Sequence, residues 1–218
     1  MSEAGERPLA PESRGDAPGR GRLKGRHILV VGGGQDERND PDPKTLSAET
    51  QDMLGKLPKL NIFRMMAGGE GLLAAFTKMG NYILAKSKID PVLREIAIVR
   101  VGVLSKAKYE VFQHERISRG LGMSAALIAA IHKGPDDPAF NEMQRLVMRF
   151  TDDVVHNVRA SDATWKPLVE KLSLQEMQEL VATIGYYMTA SRFLENFDVD
   201  IERDANPNES PLKGPLIQ

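Results

Sequence analysis

Apolar positions recur at helical spacing from about Thr45 to Asn196, and they divide into segments with recognisable starts and stops. Ser47 to Leu54 reads as a short helix, stopped by Gly55 and Pro58. Asn61 is placed to cap a turn over Ile62 to Ala67. Gly71 to Leu84 has one continuous helical spacing through Leu72, Leu73, Phe76, Met79, Tyr82 and Ile83. Asp90-Pro91 is a cap followed by proline at the first helical position, and predicts a helix to about Leu104. A further helix runs from about Ala107 to Leu121 and stops at Gly122; Ser124 caps a short one to about His132. Residues 138–157 form a longer amphipathic helix, and Ser161 caps another around Trp165. Ser173-Leu174-Gln175-Glu176 is a capping box that opens a final helix reaching about Asn196. No strand pattern follows residue 45, so the fold class is all-α.

The two ends of the chain depart from this pattern. Residues 1–26, rich in Gly, Pro, Arg and Glu, have no periodicity. His27-Ile28-Leu29-Val30-Val31 is a short β-type run ending in Gly32-Gly33-Gly34, and residues 36–44 read as a linker with Pro41 and Pro43. The predicted organisation is a flexible N-terminal arm over 1–44, a helical domain over 45–202 and a polar C-terminal tail over 203–218.

Composition narrows the chemistry. Charge is balanced, 29 basic against 30 acidic residues, which supplies no global attraction for nucleic acid or an anionic membrane. No apolar run of about eighteen residues marks a membrane span, and the N-terminus lacks the apolar stretch of a signal peptide, so a cytoplasmic location is expected. The chain has no cysteine, which removes thiolate nucleophiles, disulfides, C-x-x-C redox pairs and cysteine-rich zinc sites at a stroke. Any chemistry must come from oxygen and nitrogen groups or from a bound cofactor, and the expectation is a site that uses no cofactor.

Three such groups interrupt apolar helical faces. At about 100° per residue, Glu95 projects between Ile98, Val99 and Gly102. A carboxylate facing packing partners must be hydrogen-bonded, paired or neutral. It is therefore either a structural partner of Arg94, Arg100 or a backbone amide, or a general acid or base. On the following helix, Glu110 and His114 fall inside the stripe of Ala107, Val111, Ser118 and Leu121. Four residues apart, they share a face and can touch. A carboxylate beside an imidazole selects its tautomer and raises its pKa, which makes a proton-transfer pair; an ordinary helix-stabilising pair has the same spacing.

Leu93-Arg94-Glu95-Ile96-Ala97-Ile98-Val99-Arg100-Val101 followed by Lys108-Tyr109-Glu110-Val111-Phe112-Gln113-His114 resembles the carboxymuconolactone decarboxylase and alkylhydroperoxidase D-like superfamily. Asn61 to Ala67, Ser161 to Trp165, Gly185 to Met188 and Arg192 to Asn196 look similar to other parts of that family in the same order. The resemblance spans about residues 45–202 and implies an alkylhydroperoxidase D-like helical bundle. The peroxidase branch has a glutamate, two cysteines and a histidine at positions that here are Glu95, Ala107, Glu110 and His114. The outer two match and both cysteines are missing, so a thiol-based hydroperoxide reductase is disfavoured. The decarboxylase branch, in which a lactone acid loses carbon dioxide while a proton is moved, implies a cofactor-independent lyase or isomerase acting on a small organic acid or lactone by acid–base chemistry. In that reading His114 transfers the proton, Glu110 orients it, and Glu95 is a second acid or base or tunes the histidine. The resemblance also implies a homo-oligomer, typically a trimer or hexamer. A non-catalytic oligomeric binding protein is the alternative.

Other residues carry weaker signals. Arg64 and Arg192 are candidates to bind a substrate carboxylate by bidentate contact, or form structural ion pairs. Tyr109 adjoins Glu110 but projects about 100° away on a helix. Tyr187 or Tyr186 is placed to close a pocket through its hydroxyl, or to pack in the core. His132 and His156 lie at helix ends and read as structural. No H-E-x-x-H or similar pattern supports a metal. Leu23 to Gly34 resembles the opening strand and turn of a short-chain dehydrogenase, but Glu37 stands where the third glycine of the dinucleotide fingerprint belongs, and prolines replace the helix whose N-terminus would bind a phosphate.

Overall fold

A computed structural model of the chain describes residues 40–212. The glycine-flanked β-type run at 27–34, most of the predicted arm and the end of the tail lie outside the described residues. Within them, the structure contains nine α-helices and no strand. They are α1 (Ala48–Lys56), α2 (Asn61–Met66), α3 (Glu70–Ala85), α4 (Pro91–Ser105), α5 (Lys108–Gly120), α6 (Ala125–Lys133), α7 (Glu142–Asn157), α8 (Asp162–Val169) and α9 (Leu174–Asn196). No described helix is long and apolar enough to cross a membrane.

The caps explain most boundaries. Asp90 Oδ1 accepts from the amides of Val92 and Leu93, and Pro91 supplies the preset first turn of α4. Ser173 and Glu176 form the reciprocal box that opens α9. Two starts differ from the sequence expectation. Asn61 is the first residue of α2, not its cap; its side-chain amide donates to the Asp200 carbonyl instead. The long amphipathic helix begins at Glu142, because Asn141 and Gln144 form a capping box there and the preceding residues turn. Gly55 does not stop α1, which continues to Lys56.

α4 is the central strut. It packs against α5, α6, α7 and α9. From Leu93 to Gly102 every residue is buried, which is why this helix has no polar face. Arg100 is satisfied inside by Asp152 on α7 (2.6 and 2.9 Å) and the Ile131 carbonyl. At the end of α4, Lys106 adopts a left-handed conformation (φ 57°) and the Ala107 amide bonds back to the Gly102 carbonyl. This tight reversal lays α5 directly across α4. Gly102 makes the approach feasible: a Cβ there would sit 3.0 Å from Val111 Cγ2 and 3.3 Å from the Val111 amide nitrogen.

The segment after α9 folds back over α5. Glu202 carries the attachment: it accepts hydrogen bonds from the Asn61 amide (2.7 Å), the Tyr109 hydroxyl (2.6 Å) and Gln113 Nε2. Further along, Arg116 Nε donates to the Glu209 carbonyl (2.7 Å) and Arg119 Nη1 to the Pro207 carbonyl (3.0 Å). Residues that read as a polar tail are thus tied to α5 as far as Leu212.

Candidate active site

α4 contributes Glu95 and α5 contributes Glu110 and His114, and the crossing at Gly102 brings all three together. Glu95 is fully buried. His114 Nδ1 lies 2.7 Å from Glu95 Oε2, and His114 Nε2 lies 3.2 Å from Glu110 Oε1. The second contact is out of line for a hydrogen bond, so Glu110 Oε1 is a buried acceptor with no donor. The other oxygen of Glu95 receives a longer bond from Arg94 Nε at 3.3 Å.

The imidazole is therefore held from both sides. Burial opposes its positive charge, but Glu95, and then Glu110, outweigh that penalty and raise the His114 pKa to about 9. At neutral pH both ring nitrogens carry protons: Nδ1–H donates to Glu95, while Nε2–H lies beside Glu110 Oε1 but out of line with it. The shorter, better aligned contact belongs to Glu95, so Glu95 fixes the ring and Glu110 sits at its open edge. This reverses the division expected from helical spacing, where the i, i+4 partner seemed the natural clamp.

His114 and Glu110 form part of the wall of a small, partly open cavity of about 60 Å³. The rest of the wall is mainly apolar, with Leu60, Ile62, Phe63, Phe76, Ile117 and Ala190 prominent, and Pro211 and Leu212 from the folded-back segment also line it. Tyr187 lines it as well, its ring meeting the His114 ring edge-on at 4.7 Å. Burial drives the Tyr187 hydroxyl pKa well above its ordinary value, so it remains protonated. Tyr109 and Gln113 reach the cavity too, but their polar ends are committed: both donate to Glu202, and Gln113 Oε1 accepts from Arg116 Nη1 at 2.7 Å.

Of the remaining sequence candidates, the structure brings neither arginine to this cavity. Arg64 is largely exposed and pairs with Asp40 and Asn61; Arg192 is exposed and donates to the Met188 carbonyl. Both face outward because their helices turn apolar neighbours inward at those turns. Tyr186 packs in the core against Phe76 and donates to its carbonyl. His132 pairs with Glu115 at 2.8 Å, and His156 Nδ1 lies 2.6 Å from the Asp152 carbonyl. Among the described residues no group of three or more His, Asp or Glu side chains is arranged to hold a metal ion. His114 already has a carboxyl group at each ring nitrogen.

Sequence reasoning missed Gly102, Gln113, Glu202, Pro211 and Leu212. Gly102 could have been suspected as the one small residue facing the next helix. Glu202 carried no signal at all: a lone acid beyond a helix end is ordinary, and its partners lie about ninety residues or more away in sequence.

Comparison with known proteins agrees with this architecture. Residues 70–153, which hold Glu95, Glu110 and His114, match the carboxymuconolactone decarboxylase family. No curated protein matches the chain. Among solved structures, an uncharacterised peroxidase-related protein from Silicibacter sp. TM1040 superposes with TM-score 0.66 at 20% identity, covering 75% of this chain and 89% of its own. An alkylhydroperoxidase AhpD core protein from Ralstonia eutropha JMP134 superposes with TM-score 0.68 at 14% identity, covering 75% and 90%. The debrominase Bmp8, solved with 2,3,4-tribromopyrrole, does so with TM-score 0.63 at 17% identity, covering 76% and 91%. At these identities the superpositions establish the shared fold. The chain thus has the AhpD-like helical fold, and its segment 70–153, which bears the three site residues, is similar to the carboxymuconolactone decarboxylase family.

Proposed function

We propose that this protein is a cofactor-independent enzyme of the lyase or isomerase type, in which His114 moves a proton at a small substrate held in the cavity. One observation carries the reading: a buried imidazole, bracketed by two carboxyl groups, forms part of the wall of a mainly apolar cavity. Glu95 holds the ring at Nδ1, which leaves Nε2 and Glu110 to face the substrate. Proton transfer between Nε2 and Glu110 across the substrate would then interconvert tautomers or stabilise a developing enolate. The chain has no cysteine, so the chemistry of a thiol-based hydroperoxide reductase has no thiol to work with.

Between an organic acid and a lactone, the lactone is better supported, because Arg64 and Arg192 stand away from the cavity. The test is deuterium incorporation from heavy water into candidate lactones and enolisable compounds. Wild-type protein should exchange above buffer, and His114→Gln should abolish exchange while leaving the molecular mass of the particle unchanged. Exchange by the variant at the wild-type rate would sink the reading. The small size of the cavity favours a second reading, a non-catalytic binding protein; saturable binding with no exchange for any bound compound would select it.

We further propose that the protein acts as a homo-oligomer. Leu72, Met79 and Tyr82 form an exposed apolar row on α3, and Val181 is exposed on the neighbouring α9. Surface rows of this kind mark interfaces.

A further inference from the structure

Among the polar groups that line the cavity, Glu110 presents a buried acceptor without a donor. Tyr109 and Gln113 are saturated by Glu202 and Arg116. His114 is saturated at Nδ1 by Glu95. Glu110 Oε1 is 3.2 Å from Nε2 but lacks a donor in line, and Glu110 is only 3% exposed. A buried acceptor without a donor is costly, and a ligand that supplies O–H or N–H relieves that cost.

The same wall disfavours an anion. No Lys or Arg is among the residues lining the cavity. The single cation, His114, already answers two carboxyl groups, so a third carboxylate would enter beside Glu110 among apolar side chains with no counter-charge of its own. We propose that the cavity takes a small, neutral, largely apolar molecule carrying one O–H or N–H donor, such as a hydroxylated or enolic lactone, a phenol or a ring N–H compound. The donor bonds to Glu110 Oε1, and carboxylates are turned away. This rests on the reading of the cavity as the substrate site and specifies its ligand class.

Size adds a condition. An engineered protein cavity that holds benzene measures on the order of 150 Å³, against about 60 Å³ here. A ring needs more room than this, and Pro211 and Leu212, which line the cavity from the segment after α9, are side chains whose truncation supplies it.

Three probes of similar size separate the requirements: phenol (donor, neutral), anisole (no donor, neutral) and benzoate (anion). Binding to the full-length protein at pH 7 is followed by calorimetry, for wild type and for Leu212→Ala, which makes room. Phenol should bind, roughly tenfold or more tightly than anisole, and benzoate should show no saturable binding. Leu212→Ala should tighten both neutral probes and keep their order. Glu110→Leu should erase the difference between phenol and anisole. Benzoate binding as tightly as phenol, anisole equal to phenol in wild type, or no phenol binding to either protein would each overturn the proposal. Because binding is read without turnover, such a result leaves proton transfer by His114 to stand or fall on the exchange experiment.

Discussion

Raising the pH should remove a measurable part of this protein's stability through His114 alone. Its folded-state pKa of about 9 stands against 6.5 for an unperturbed histidine. Below about pH 6.5 the folded and unfolded chains both hold the proton, and the stabilisation by Glu95 and Glu110 is fully present. Between 6.5 and 9 the folded state binds the extra proton, so stability falls by about 1.4 kcal/mol per pH unit. Above 9 the contribution is gone. The total is about 3 kcal/mol, which for a chain of this size lowers the melting temperature by roughly 6–12 °C. The assay pairs urea denaturation at pH 6 and pH 10 with NMR titration of the four histidines, His114 being assigned by its loss in His114→Gln. His114 should titrate well above 6.5. A midpoint for its resonance at or below 6.5 would refute the argument that two carboxyl groups overcome the desolvation of the ring.

The other predictions follow from neighbouring contacts. Glu95→Gln should lower the His114 midpoint, since the largest stabilising charge is removed, and should abolish proton transfer; Glu95→Ala should cost about 3–5 kcal/mol on denaturation because it leaves a buried cation short of its partner. Gly102→Ala should destabilise by about 1–3 kcal/mol, as its methyl meets Val111 at 3.0 Å and pushes α5 from α4; the same NMR titration should then show His114 less coupled to Glu95. Glu202→Ala releases three hydrogen bonds to the segment after α9, so amide exchange over residues 203–212 should quicken while that of α4 is unchanged. Met79→Lys should lower the mass seen by light scattering if the exposed α3 row joins copies of the chain.

Local rules made much of this protein legible before any coordinates. Capping at Asp90 and Ser173 and the apolar periodicity between them located the two long helices that frame the core, α4 and α9. The i, i+4 spacing put Glu110 and His114 on one face, and Glu95 was visible as a carboxylate with no solvent-facing side. Helix geometry repeats every few residues, so such facts are contained in short windows of sequence. Periodicity alone, however, did not separate Leu73, Phe76 and Ile83, which are buried, from Leu72, Met79 and Tyr82, which are exposed on the same helix.

Tertiary structure decided everything that depends on where one helix crosses another. Glu95 and His114 are 19 residues apart and meet only because a left-handed Lys106 and a bare Gly102 let α5 lie close on α4. That crossing, not the helical repeat, chose Glu95 as the clamp and left Glu110 with an open acceptor. The packing of the apolar faces of α2 and α9 turned Arg64 and Arg192 away from a cavity for which their charge had made them candidates. The roof came from Pro211 and Leu212, an apolar pair in a polar tail, anchored through Glu202 to side chains about ninety or more residues earlier. Contacts over such separations are selected by the packing of the whole domain, and no short window of the chain contains them.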